Sequence, residues 1–152
     1  MALDEFLENP ESCNCELYAA GVQRALGFFI PDQFRSSDFA DDTAYTKRID
    51  YIHQPIQTGD IIGLWRKGET NTKRIHLGVL RWNKDEEIVE VIHASKDKKS
   101  VVVSHIGALL LDPKYESIAF IKRATFRKRR LHNPHQLREL GFSLLAKKAN
   151  VR

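Results

Sequence analysis

Apolar residues recur at helical spacing through Tyr18, Val22, Ala25 and Leu26, so residues 15 to 26 are expected to form an amphipathic helix. Asn14 or Ser12 can cap its start, and Gly27 can stop it. The segment before Ser12 reads as an approach or a short first helix closed by Pro10, and Phe28-Phe29-Ile30 ahead of Pro31 as an apolar connector packed beneath the main helix. Residues 32 to 57 are polar and rich in Ser and Asp, which suggests loop with short helical pieces. The pattern then changes to alternation. Ile61 to Trp65, Arg74 to Trp82, Glu87 to Ala94, Ser100 to Ile106 and Ser117 to Lys122 read as five strands separated by turn signals such as Thr58-Gly59-Asp60 and Asn83-Lys84-Asp85-Glu86. One helix followed by a meander of antiparallel strands is an α+β arrangement. A last helix is expected to start at Asn133-Pro134, with Leu137, Leu140, Leu144 and Leu145 on one face and Phe142 at its flank.

The chain of 152 residues is long enough for one domain with its own core, and its 42% hydrophobic and 29% charged residues fit a globular protein. No apolar run has the length of a membrane span. The N-terminus is acidic and lacks a basic stretch before an apolar core, so as written it is not a secretory signal. The protein is therefore expected to stay in the cytoplasm, leave by a non-classical route, or be a processed form. Cys13 and Cys15 stand too close for an unstrained disulfide, which excludes a stapled scaffold and leaves thiols that are free or reactive.

The net charge of +4 hides an asymmetry. From Lys122 onward ten Lys/Arg face one acid, a tail of +9, while the preceding residues carry −5. The tail is expected to be a solvated helix docking its leucines, or an attachment to an anionic polymer or a protein partner. No recognised nucleic-acid-binding module surrounds its Arg cluster, so sequence-specific nucleic-acid binding is not expected.

Chemistry concentrates in three residues. A thiol at the start of a helix faces unpaired N–H groups and the positive end of the macrodipole, which favour thiolate, so Cys15 is a candidate nucleophile. Strand alternation puts His76 on a face with Gly78, Leu80 and Trp82, and His93 on a face with Val89 and Val91. Adjacent antiparallel strands can bring two such imidazoles together, and burying both invites a common purpose. Cys15 would attack a carbonyl, His76 would hold and return its proton, and His93 would fix the orientation of His76. Backbone N–H groups at the helix start could stabilise the oxyanion. Glu16 beside the thiol opposes the thiolate unless it points to solvent or pairs with a base.

These pieces occur in an order that resembles the NlpC/P60 family of papain-like cysteine peptidases: Asn14-Cys15 opening a helix, Gly27-Phe-Phe-Ile-Pro31, Arg35-Ser36-Ser37, Gln57-Thr-Gly-Asp-Ile-Ile-Gly-Leu64, Ile75-His76-Leu-Gly-Val79 and Val91-Ile-His93-Ala-Ser95. The resemblance covers roughly residues 14 to 121. It implies an α+β papain-like fold, with the cysteine helix packed on an antiparallel sheet that bears the histidines. It implies Cys15 as nucleophile, His76 as base and His93 as third residue. Residues 1–125 would be the catalytic domain and 126–152 a basic helical extension. The implied reaction is hydrolysis of amide bonds in bacterial cell-wall peptides, through a thioester and without metal or organic cofactor. The family commonly carries Asp-Cys-Ser-Gly where this chain has Asn14-Cys15-Glu16-Leu17. Asn14, Glu16, Ser36 and Trp65 are the candidate substrate-binding residues.

Asn-Cys-Glu is also similar to the lecithin:retinol acyltransferase-like proteins, whose histidines precede the cysteine. Acyl transfer is therefore the alternative, together with an inactive module that only presents the basic tail. Zinc is not expected, because Cys-x-Cys lacks the usual ligand spacing. His53, His105, His132 and His135 read as surface or satisfied residues, Asp60 as a turn residue, and Trp65 and Trp82 as core or cleft wall.

Overall fold

In the computed structural model, residues 14–95, 100–127 and 149–151 are described. The expected approach segment before Ser12, Cys13 and the expected helix from Asn133 lie outside them. The described chain is α+β. Helix α1 spans Cys15–Ala25 and α2 Ser36–Asp41; strands β1 Thr46–Arg48, β2 Ile61–Arg66, β3 His76–Asn83, β4 Ile88–Ser95 and β5 Ser100–His105 follow. Helix α3, Ile106–Leu110, then leads to β6, Tyr115–Ala124, and β7 is Ala149–Val151. The strands form one sheet in the order β1-β6-β2-β3-β4-β5-β7. All pairs are antiparallel except β5 with β7.

Local chemistry sets the ends of α1. Asn14 accepts a hydrogen bond from the Leu17 N–H at 2.8 Å, so it is the cap. Glu16 sits in the first turn and Arg24 in the last, each matched to the helix dipole. Gly27, at φ 91°, reverses the chain and lets the N–H groups of Gly27 and Phe28 return to Arg24 and Gln23.

The alternation of the strands sorts the sheet into two faces. Leu77 and Val79 of β3, Ile92 and Ala94 of β4, and Val101 and Val103 of β5 pack against the groups that include Tyr18, Ala19 and Val22 of α1 and Phe39 of α2. Ile62, Leu64, Leu80, Val91 and Ile121 form a separate apolar group on the opposite face, covered by Leu109 of α3. Strands β2 and β6 slip register twice, once between Trp65 and Arg66, where a bulge re-aims the end of β2.

Two strands go beyond the expected five. Strand β1 has one buried position in three, and β7 is a three-residue pairing on β5. Helix α3 occupies the stretch expected to run from strand into loop. Trp82, expected in core or cleft wall, is half-exposed on β3, because the last residues of that strand project beyond the layer beneath it. The first two charges counted with the tail belong to the sheet. Lys122 is buried and donates to the carbonyls of Phe39 and Asp42, capping α2, and Arg123 grips Asp60 with two bonds of 2.8 Å. The chain keeps touching the body after residue 125: Phe126 accepts from the Phe29 N–H, and the Arg127 guanidinium lies 4.3 Å from the centre of the Phe28 ring. Among the described residues, no helix is long and apolar enough to cross a membrane.

Candidate active site

Cys15 is the first residue of α1, half-buried against the apolar group of Ile75, Leu77 and Phe120. The Leu77 N–H, the Arg66 guanidinium and the Ser36 hydroxyl all favour negative charge on its sulfur. Burial opposes them and wins, so the thiol is pushed above its usual 9.0. The expectation of a thiolate stabilised by the helix start is corrected accordingly: desolvation of the sulfur exceeds what its few donors return. Glu16 adds to the rise, although it is turned away toward Arg35, at 3.6 Å, and accepts from Ser36 at 3.3 Å.

The histidines stand on the sheet face opposite α1. His76 begins β3 directly across from Leu64. On β4, His93 is one step from Ile92, which pairs with Val79. Gly78 makes their meeting feasible. A Cβ there would fall 2.6 Å from Val91 Cγ1 and 3.4 Å from His93 Cβ, in the space those side chains use. His76 Nε2 and His93 Nδ1 are 2.9 Å apart, with the rings nearly perpendicular. His93 Nε2 lies 3.2 Å from Ser104 Oγ on β5. On the other side, Arg66 Nη2 lies 3.3 Å from His76 Nδ1, and Tyr115 of β6, the register partner of Arg66, stacks on the His76 ring at 5.3 Å. A polar row Tyr115–Arg66–His76–His93–Ser104 thus crosses five strands of an otherwise apolar face.

One end of this row decides where its protons sit. A guanidinium only donates, so His76 Nδ1 must accept. The neutral His76 ring then carries its proton on Nε2 and gives it to His93 Nδ1, and His93 in turn donates from Nε2 to Ser104. Burial holds His76 neutral, with its pKa well below 6.5, and the positive charges of Arg66 and Lys114 push in the same direction. Thiol and imidazole are both uncharged at rest, rather than forming an ion pair.

Among the described residues, no hydrogen bond joins the Cys15 sulfur to His76; both groups face the Arg66 guanidinium. Of the expected site residues, the structure brings His76 to His93, and Ser36 to both Cys15 and Glu16. Asn14 serves the helix cap, and Trp65 is half-buried in the same apolar group as Cys15. Sequence reasoning missed Arg66, Tyr115, Lys114 and Ser104. The alternation of β2 put Arg66 on the face of Leu64, which pairs with His76, and was the one signal available for it. Among the described residues, no group of three His, Cys, Asp or Glu could hold a metal ion.

No family model matches the chain, and no curated protein does. Among solved structures it is similar to the crystal structure of an N-acetylmuramoyl-L-alanine amidase from Bacteroides uniformis, at 28% identity and a TM-score of 0.39. The match covers 47% of this chain and 30% of the amidase, a likeness too slight to establish a shared fold.

Proposed function

We propose that the chain is a thiol-dependent hydrolase of amide bonds, with bacterial cell-wall peptides as its substrates. The observation that carries the proposal is the ordered row from Arg66 to Ser104, which fixes the tautomers of two buried imidazoles and ends at the guanidinium that the helix-terminal thiol also faces. A histidine pair serving only the core would have no need of an acceptor nitrogen turned toward the guanidinium that the thiol also faces. The substrate class rests on the ordered motifs around Cys15, His76 and His93 and on their resemblance to NlpC/P60 peptidases.

His76 Nδ1 takes the Cys15 proton as the sulfur bonds to the scissile carbonyl carbon. The tetrahedral intermediate collapses as His76 returns that proton to the amide nitrogen; the C–N bond breaks and an amine leaves. Water then attacks the thioester, giving one proton to His76; the S–C bond breaks as His76 passes that proton to the sulfur, releasing the acid and restoring the thiol. His93 steadies the imidazolium by accepting from Nε2, as the third group does in other nucleophile–histidine sites. Asn14, Glu16, Ser36 and Trp65 would line the approach of the acyl group.

Incubation with cell-wall muropeptides, followed by mass spectrometry of the products, tests the reading. Release of an amine-bearing fragment by the wild type, lost in Cys15→Ala and in His76→Ala, is the expected result. Equal release by Cys15→Ala would sink it.

A further inference from the structure

The Nδ1 atom of His76, which the proposed reaction needs as a proton acceptor, is occupied in the free protein. Arg66 reaches it from the end of β2, where the bulge between Trp65 and Arg66 turns the side chain, and Arg66 Nε is tied to the Arg74 carbonyl at 2.9 Å. The residue is exposed, so the rest of its fork is reachable from solvent. The groups facing His76 are Arg66 from β2, His93 from β4, Lys114 from the turn before β6 and Tyr115 from the start of β6. Those facing the sulfur are Glu16 from its own helix, Ser36 from α2, Leu77 from β3 and Arg66. Arg66 is the charged group common to both sets.

We propose that Arg66 is a positioning residue that caps the base, and that a carboxylate on the incoming ligand draws the guanidinium off His76 Nδ1 and so frees that nitrogen to take the Cys15 proton. The inference rests on the hydrolase reading for the use made of the freed nitrogen, but the cap itself stands on the Arg66–His76 contact. A guanidinium fork matches a carboxylate far better than it matches a single ring nitrogen, so the exchange runs toward the anion. A ligand without a carboxylate meets a resting thiol and a blocked base.

Alkylation of Cys15 in a Cys13→Ser background separates the alternatives without any hydrolysis. In both reagents used, sulfur displaces iodide from carbon and the thiol proton is lost; iodoacetate carries a carboxylate and iodoacetamide does not. Relative to glutathione, the wild type should prefer iodoacetate by about tenfold. Arg66→Met should abolish that preference and, by uncovering His76, raise the iodoacetamide rate at neutral pH by about tenfold. The opposite sign, slower reaction with both reagents, would mean that Arg66 merely stabilises the thiolate and would overturn the cap. A wild-type preference equal to that of glutathione overturns it with no variant at all, so a failure of Arg66→Met to fold leaves the test intact. Muropeptide turnover with no charge preference rejects the cap alone; charge preference without turnover rejects the hydrolase alone.

Discussion

Two sets of polar groups are buried in this sheet, and they end differently. Around β6, the Lys122 ammonium terminates on the carbonyls of Phe39 and Asp42, and Arg123 closes on Asp60, which also holds the Gln57 N–H at 2.7 Å. Each charged group meets fixed acceptors, as a structural cluster requires. The row from Ser104 to Arg66 begins in the same manner, yet its last member is an exposed guanidinium beside a thiol. A closed cluster stabilises the fold; a row whose last contact is an exposed guanidinium leaves its terminal imidazole nitrogen open to exchange of partner. Burial alone does not separate the two, whereas the terminus does.

The largest effects are expected at the open end of the row. Cys15→Ala should lower muropeptide hydrolysis by at least about 10⁴-fold with only a small change in thermal midpoint, since the Leu77 N–H and the Ser36 hydroxyl lose a weak sulfur acceptor and little else. His76→Gln should cost about 10³-fold in kcat. It should also change how stability depends on pH. Held neutral in the fold, His76 binds its proton only after unfolding, so the unfolded chain carries more protons below its 6.5. Stability is full above that value and falls as pH drops through it; thermal melts of His76→Gln should show a flatter acid limb. His93→Gln should lower kcat by about 30-fold while KM stays unchanged, because His93 acts through His76.

The closed end should respond in stability alone. Lys122→Met strands two helix-end carbonyls and should cost about 2 kcal/mol in urea unfolding, with the alkylation rate of Cys15 unaltered. The smallest effect is expected from Ser104→Ala, about threefold in kcat, because water can replace a hydroxyl at the far end of the row. If Lys122→Met slowed alkylation as much as His93→Gln did, the division between closed and open clusters would be lost.

Much of this was legible in the sequence. The period of α1, the Asn14 cap, the Gly27 stop and the alternation of β2 to β5 follow from residue types acting locally. The facing of His76 and His93 followed from the same alternation. Strand β1 escaped because Thr46-Lys47-Arg48 carries no apolar period; its pairing with β6 makes it a strand. Ile106–Leu110 is uniformly apolar or small, so its turn of helix left no pattern. Arg66, Tyr115 and Ser104 come from three strands far apart in the chain, and register alone, with a bulge in it, brings them into line. Lys122 reads as the end of a strand, but the burial of its ammonium does not show, because counting it among the charges of the tail ignores which face it occupies.

The pairing of β3 with β4 carries a further consequence. Val79 opposite Ile92 places the apolar positions under α1 and, by the same alternation, sends both histidines to the other side. A slip of one residue in either strand would exchange the side chains of its two faces and drive its histidine into the apolar layer under α1 in a single step. The hydrophobic layer therefore proofreads the site. A misregistered molecule cannot be a well-packed one with a defective centre, and intact reactivity at Cys15 becomes a report on the folding of the whole sheet.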